Sequence, residues 1–278
     1  MSFIDLHLHS NHSDGFDSPA RVVARAAAMG ISGMALTDHD TVSGVAEAET
    51  AAGKAGLDFL TGVEITAQFN GQEIHIIGLG VCTGCVELLS LLKKNETVRN
   101  ERASLVLEKL AQCGIILPPD LLRKYARGGA VSRMHVARVL YDLKITSSTQ
   151  EGFDRFLNAG RPAYVPKQLI PAETTIAAVH SAGGLAFVAH PGLSHNVRRH
   201  LPQLMELPFD GIEAYHISHN RSATNDFLAF AESRRLLVSG GSDCHGGIKG
   251  ASEMGKVRVP REHLDPILDA LAARAKRF

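Results

Sequence analysis

The sequence contains no tryptophan, only 5% aromatic residues and four cysteines, and its 29 Lys and Arg balance 29 Asp and Glu. Each shortage excludes something. With so few rings there is no obvious stacking platform for a long single strand of nucleic acid. Cys82, Cys85, Cys113 and Cys244 are too few and too unevenly spaced for a disulfide framework, which fits a reduced, cytoplasmic protein. Cys82-Thr83-Gly84-Cys85 has redox-motif spacing, but no second pair accompanies it and no helix clearly follows, so it reads as a loop pair. No apolar run approaches the roughly 18 residues of a membrane span. The N-terminus lacks a basic region followed by an apolar one, so secretion is not indicated. No obligate protein partner is evident. At 278 residues and 45% hydrophobic, the chain suffices for one large domain, or one domain with an insertion.

What is present starts at the N-terminus. Phe3 to His9 reads as a short strand with histidines at i and i+2. Side chains alternate across a strand, so His7 and His9 share one face while Leu6 and Leu8 share the other. Two imidazoles on one face can hold one metal ion. A helix follows with Ser18 as N-cap and Pro19 in its first turn, stopping at Gly30. Strand two, Gly33 to Leu36, ends in Thr37-Asp38-His39-Asp40. A helix over Val45 to Ala55, closed by Gly56, leads to strand three, Phe59 to Thr66, which contains Glu64.

Asn70-Gly71 marks a tight hairpin into strand four, Glu73 to Gly80. If these are the two turn residues, Phe69 opposes Gln72 and Thr66 opposes His75. Glu64 and His75 then become diagonal neighbours on one face, within reach of a common metal. A slip of one residue would undo this.

From Leu88 to about Phe156 the pattern is helical, broken at Gly114, Pro118-Pro119 and Gly128-Gly129, with no strand signal. Residues 88–167 therefore read as an insertion between two barrel segments, 1–87 and 168–278. The stretch Lys93 to Lys167 holds 14 Lys and Arg against 7 Asp and Glu, whereas the remainder holds 15 against 22. Either the insertion presents a solvated helical surface, or it is a basic lid drawing anionic substrate toward an acidic floor. Strand five, Leu185 to Ala189, is followed by His190-Pro191. Strand six, Gly211 to Tyr215, is followed by His216. Strand seven, Leu236 to Ser239, is followed by Asp243-Cys244-His245. A helix from Leu264 closes the chain.

Strands alternating with helices imply an α/β barrel or a doubly wound sheet. A nucleotide-binding doubly wound fold wants a Gly-rich loop after strand one. The chain has His9-Ser10-Asn11-His12 there, which favours the barrel. In such a barrel, chemistry sits at the C-terminal strand ends. Each strand end here, or the hairpin start for strand four, carries a potential metal ligand. Imidazoles mixed with carboxylates suit manganese, iron or zinc and lack the thiolates of a structural zinc site. Cys244, between two such residues, is expected to face away from them.

His7-Leu8-His9, Thr37-Asp38-His39, Glu64, His75, His190 and Asp243-Cys244-His245 resemble the polymerase and histidinol phosphatase (PHP) family. The resemblance implies a distorted (β/α)7 TIM-like barrel holding two or three divalent metals, manganese above all. It implies one metal on His7, His9, Glu64 and Asp243, a second on Glu64, His75 and His190, and a third on Asp14, His39 and His245. Water activated by the metals is then the nucleophile, with no protein nucleophile. Asp38 is a candidate for orienting a ligand histidine, and Asp40 for capping the next helix.

The run from Ser132 to Arg138 resembles the phosphate-contacting segment of the stand-alone subgroup that hydrolyses 3′,5′-nucleoside bisphosphates or short RNA. Ser132, Arg133 and His135 are therefore candidate substrate contacts, joined by His219 and His216 after strand six. His12, His180, His195, His200 and His263 read as surface or structural. The expected activity is removal of the 3′-phosphate from pAp to give AMP. The alternatives are 5′-to-3′ exonuclease action on short 5′-phosphorylated RNA, a non-catalytic metal-binding or scaffolding module, and an amide hydrolase on a similar barrel.

Overall fold

The computed structural model describes residues 2–126, 131–246 and 253–276, with the side chains at 123, 126, 195 and 196 outside that description. Gly128-Gly129 and the His195 ring thus fall outside the described residues. In chain order the elements are β1 (Phe3–Asp5), α1 (Pro19–Ala28), β2 (Ile31–Leu36), α2 (Val45–Ala55), β3 (Asp58–Phe69), β4 (Gln72–Leu79), α3 (Val86–Gln112), α4 (Pro119–Ala126), α5 (Arg133–Asp142) and α6 (Thr149–Gly152). A π-helical turn (Phe153–Leu157) follows, then β5 (Ile170–Pro171), α7 (Ala172–Ser181), β6 (Leu185–Val188), α8 (His195–Leu204), β7 (Gly211–His216), α9 (Arg221–Arg234), β8 (Leu237–Gly241), β9 (Val259–Pro260) and α10 (Leu264–Ala275).

Local chemistry sets several of these bounds. Ser18 caps α1, its side chain accepting from the Arg21 N–H, and Pro19 occupies the first turn. Gly56 ends α2 in the left-handed region, at φ 68°. Asn70 and Gly71 both have positive φ, 50° and 75°, as a two-residue hairpin of matching twist requires. Thr66 accordingly pairs with His75 and Phe69 with Gln72.

The sheet runs β8-β7-β6-β4-β3-β2-β1-β9, with β5 paired to β3. Leu6 N–H donates to Gly240 at 3.0 Å and Leu8 bridges Cys244, which brings the first and last barrel strands together. β4 alone runs antiparallel to both neighbours, β3 and β6. Its N-terminal start therefore lies at the same barrel end as the C-terminal ends of β1, β2, β3, β6, β7 and β8. Along β3, β4, β6 and β7 the alternate residues part. Val63, Ile65, Ala67, Ile74, Ile76, Ala186, Val188, Ile212 and Ala214 join one apolar cluster with residues of α3, α7 and α9. Leu60, Ile77, Leu79, Leu185 and Phe187 join another with Ile4, Leu6 and α10.

Three expectations change. β1 stops at Asp5 rather than His9, with irregular register at its start. Leu6 and Leu8 consequently enter different clusters, the first with Phe187 and the second with Val22 and Cys244. A helix does follow Cys82-Thr-Gly-Cys85, since α3 begins at Val86, and all four cysteines are free thiols. The chain divides into two compact units, residues 1–92 with 169–278 and residues 93–168. The division falls inside α3 because Leu88, Leu91 and Leu92 pack with Val63 and Ile65. The second unit has its own core, built from Val106, Leu110, Leu122, Val136, Leu140 and Phe156 among others. Arg102 and Lys109 of α3 donate to the Val165 and Tyr164 carbonyls and pin its last segment.

Candidate metal centre

At one barrel end the strands deliver nine side chains into a common cluster. His7 and His9 lie beyond β1 with their Nε2 atoms 3.0 Å apart. Gly241 makes room for His7, because a Cβ there would meet the His7 Cβ at 2.5 Å. His9 Nε2 is 3.0 Å from Asp243 Oδ1, and His7 Nε2 is 3.2 Å from Glu64 Oε2. Glu64 turns its other oxygen to His75 Nδ1 at 2.7 Å and His190 Nε2 at 2.9 Å. His39 Nδ1 stands 3.1 Å from Glu64 Oε2. Asp14 lies 3.2 Å from His245 and 3.9 Å from His39. Glu64 thus belongs to two groups at once, and His9 stands within reach of a third group with Asp14, His39 and His245.

The charges compensate. Burial opposes ionisation of Glu64, but the imidazoles of His39, His75 and His7 hold its carboxyl well below the usual range. Burial likewise opposes a charge on His75 and His245. Glu64 nevertheless lifts the first to about 9, and Asp14 with Asp243 lifts the second to about 10. Glu64 Oε2, Asp14 Oδ1, His39 Nδ1 and His9 Nδ1 are buried with no hydrogen-bond partner. Orphaned buried acceptors are costly unless something else binds them. Donor atoms at 2.0–2.2 Å from one cation also stand about 3 Å apart when adjacent, the spacing seen here. The donor set therefore fits divalent cations.

The surrounding shell departs from expectation in several places. Asp38 does not orient a histidine. It accepts from Ser10 N at 2.7 Å and from the Ser10 and Ser13 hydroxyls at 2.6 Å each, holding the loop that carries Asp14. Asp40 does not cap α2; it accepts from the Thr66 N–H at 2.9 Å. His219 is no free substrate contact. Its Nδ1–H donates to the Ala214 carbonyl at 2.9 Å and its Nε2 accepts from Gly192 N at 3.0 Å, while burial holds the ring below the usual imidazole range. His216 points at Asp243, with Nε2 3.3 Å from Oδ2. Cys244 turns into the apolar cluster with Leu8, as its place between two acidic and basic neighbours suggested.

Two buried carboxylates that contact the ligand-bearing segments escaped the sequence reading. Asp5 accepts from Ser242 N and Oγ, and burial pushes it up to about 6. Glu213 meets His7 Nδ1 at 2.9 Å and accepts from His190 N at 2.6 Å. The available signal was a lone charge in Gly211-Ile-Glu-Ala-Tyr-His216, placed on the inner face by the alternation of Ile212 and Ala214.

In the second unit, Ser132 and His135 form a capping box at the start of α5. Ser132 Oγ accepts from His135 N, and His135 Nδ1 accepts from Ser132 N at 3.2 Å. Those atoms serve the helix. Arg133 is half-buried, its guanidinium over the Phe153 ring and donating to the Leu157 carbonyl at 3.4 Å. Among the remaining histidines, His180 pairs with Asp210, His12 with Ser43, His200 with Gln203 and His263 with Tyr215.

Comparison with known proteins follows the same lines. A 5′-3′ exoribonuclease of Haemophilus influenzae is 36% identical over 246 residues, covering 87% of this chain and 89% of its own. A 3′,5′-nucleoside bisphosphate phosphatase of Chromobacterium violaceum is 35% identical over 283 residues, covering 100% and 99%. A solved structure from Bifidobacterium adolescentis, provisionally described as a metal-dependent phosphoesterase, superposes with a TM-score of 0.86 at 27% identity, covering 97% of this chain and 96% of that one. The PHP domain model matches residues 5–159. With ligand-type side chains at six strand ends and relatives alike along nearly the whole chain, the protein belongs to the PHP family.

Proposed function

We propose that the protein is a metal-dependent phosphoesterase that removes the 3′-phosphate from 3′,5′-nucleoside bisphosphates such as pAp, leaving a nucleoside 5′-monophosphate. The observation carrying this reading is the set of orphaned carboxylate and imidazole atoms around Glu64. The similarity to a bisphosphate phosphatase along the entire chain supports the substrate class.

His7, His9, Glu64 and Asp243 would hold one divalent ion, Glu64, His75 and His190 a second, and Asp14, His39 and His245 a third. Bound there, such ions acidify water and offset charge on phosphoryl oxygens. The mixed donor set suits manganese, iron or zinc, and manganese is the ion proposed. The reading calls for no protein nucleophile, and the hydroxyls and thiol beside the cluster are otherwise engaged among the described residues. The Ser10 and Ser13 hydroxyls are committed to Asp38, the Ser242 hydroxyl to Asp5, and Cys244 is buried among apolar residues. Glu64, with one oxygen turned to each of two groups, sets their spacing. Arg133 is the phosphate contact proposed within residues 93–168, its planar fork suited to phosphate in a way a lysine does not reproduce. Four free thiols support a cytoplasmic setting.

Phosphate release from pAp, 3′-AMP and 5′-AMP tests the two-phosphate idea, and equal rates on all three would end it. Arg133→Ala should raise KM for pAp more than for a monophosphate ester. The exoribonuclease reading is favoured by the Haemophilus influenzae relative. Products from a labelled 5′-phosphorylated trinucleotide separate the two, since stepwise release of mononucleotides from the 5′ end supports the nuclease. Phosphate-ester hydrolysis lost on chelation and regained with manganese would rule out a non-catalytic module, and an amide panel addresses amide hydrolysis.

A further inference from the structure

Six strands of the barrel bring ligand-type side chains to the centre: β1, β2, β3, β4, β6 and β8. β7 brings Glu213 and His216, and these face the ligands themselves. We propose that Glu213 and His216 are positioning residues that set His7, His190 and Asp243 for divalent cations, and that Glu213 couples two of the donor groups. The inference rests on the metal reading of the site and adds to it the means by which the ligands are held.

Glu213 is fully buried, 0% exposed, and divides its oxygens between two ligands. Oε1 lies 2.9 Å from His7 Nδ1, and Oε2 accepts from the backbone N–H of His190 at 2.6 Å. His7 has its other nitrogen among the donors, 3.0 Å from His9 Nε2, 3.2 Å from Glu64 Oε2 and 3.4 Å from Asp243 Oδ1. An imidazole that keeps its proton on Nδ1 against a carboxylate leaves the Nε2 lone pair for a cation.

The contact with His190 acts on the backbone. His190 has φ +26°, a region costly for any residue with a side chain. Its N–H bond to Glu213 helps hold that conformation while the ring reaches Glu64 Oε1 at 2.9 Å. One carboxylate therefore supports His7 in the first group and His190 in the second. His216 does the same for Asp243. Its Nδ1 accepts from Ser218 N at 3.1 Å, so Nε2 carries the proton and donates to Asp243 Oδ2 at 3.3 Å. That leaves Asp243 Oδ1 turned to His9.

Glu213→Gln has almost the same shape but one acceptor oxygen. If the amide oxygen stays on His190 N–H, its NH2 faces His7 Nδ1 and drives the ring proton onto Nε2, the nitrogen aimed at the cation. If the amide turns over, His190 loses its acceptor. Each orientation disturbs one group directly and reaches the other through Glu64, which both His7 and His190 meet. His216→Gln disturbs Asp243 alone.

The test uses the metal-stripped full chain, with circular dichroism and thermal unfolding of the metal-free forms as the check on folding. Mn2+ is titrated in and free Mn2+ is read by electron paramagnetic resonance, giving ions bound per chain and their affinity. Co2+ absorption reports the geometry around the ion. Glu213→Gln is expected to weaken Mn2+ binding by about 10–100-fold, at two sites together, with an altered Co2+ spectrum. His216→Gln should weaken one site. Glu213→Asp, which keeps two acceptor oxygens, should bind more tightly than Glu213→Gln. Wild-type affinity and stoichiometry in Glu213→Gln would overturn the assignment, as would equal affinities for the Asp and Gln variants. Loss of one ion with the other undisturbed would overturn the coupling. A wild-type chain that binds no Mn2+, Fe2+ or Zn2+ would instead remove the metal reading.

Discussion

Two carboxylate–histidine clusters sit in the barrel unit, and they differ in one respect that matters. Asp210, just before β7, accepts from His180 Nε2 and Ala186 N at 2.8 Å each and from Arg274 at 2.6 Å. It ties α7, β6 and α10 together with its acceptor capacity well used. Glu64 and Asp14, at the other strand ends, form their ion pairs with histidines alone among the described residues, and each keeps an oxygen without a hydrogen bond. Residue types alone do not distinguish the clusters. The number of unsatisfied buried atoms does, and it separates a structural clamp from a centre built to receive something else.

The sharpest way to break that contrast is Glu64→Gln. Loss of one oxygen from the carboxylate shared by two donor groups should lower kcat/KM by more than about 100-fold, beyond the usual effect of a supporting residue. Chelation of the wild type should match it. A variant with near-normal turnover would mean that the orphaned oxygen has no ligand to bind. Asp210→Asn should do the reverse, costing about 3 kcal/mol in denaturant unfolding while kcat of the folded enzyme stays unchanged.

The pH dependence sharpens that second prediction. Burial would raise Asp210, but the hydrogen bonds from His180 and Ala186 and the charge of Arg274 hold it below the ordinary carboxylate value. Its stabilisation is therefore fully present above the unfolded pKa of about 3.9 and is lost as pH falls through the lower folded value. The stability gap between wild type and Asp210→Asn should be flat near neutrality and close below that range. A gap unchanged at low pH would deny the role of ionisation. The smallest effect is expected for Asp38→Asn, which loosens the loop bearing Asp14. Mn2+ affinity should fall by about 10-fold at the site containing Asp14, with the others unaffected. Equal weakening everywhere would show that the loop does not act on one group.

Much of this was legible in residue types and spacing. The Asn70-Gly71 turn determined the register that places Glu64 and His75 side by side, because a two-residue hairpin of that kind permits one pairing. Ser18, Pro19 and Gly56 marked helix ends through local hydrogen bonding and backbone freedom. The failures share a cause. Where β1 ends, what Asp38 and His219 hold, and what Glu213 faces all depend on partners distant in sequence. Asp38 is bonded to Ser10 and Ser13, His219 to Gly192, and Glu213 to His7, 206 positions away. Short elements without periodicity, β5 and β9, left no pattern to read. α8 carries an internal proline, Pro202, that reads as a break.

The closeness of His9 to Asp243, 3.0 Å across almost the whole length of the chain, has a consequence for synthesis. A ribosome delivers His9 long before Asp243. A nascent chain stalled before β8 lacks Asp243 and His245, so the donor groups that contain them are incomplete, whereas Glu64, His75 and His190 are already made. The proposed centre is thus completed only once β8 and the residues after it have been made, and a product truncated before β8 has no complete first or third donor group.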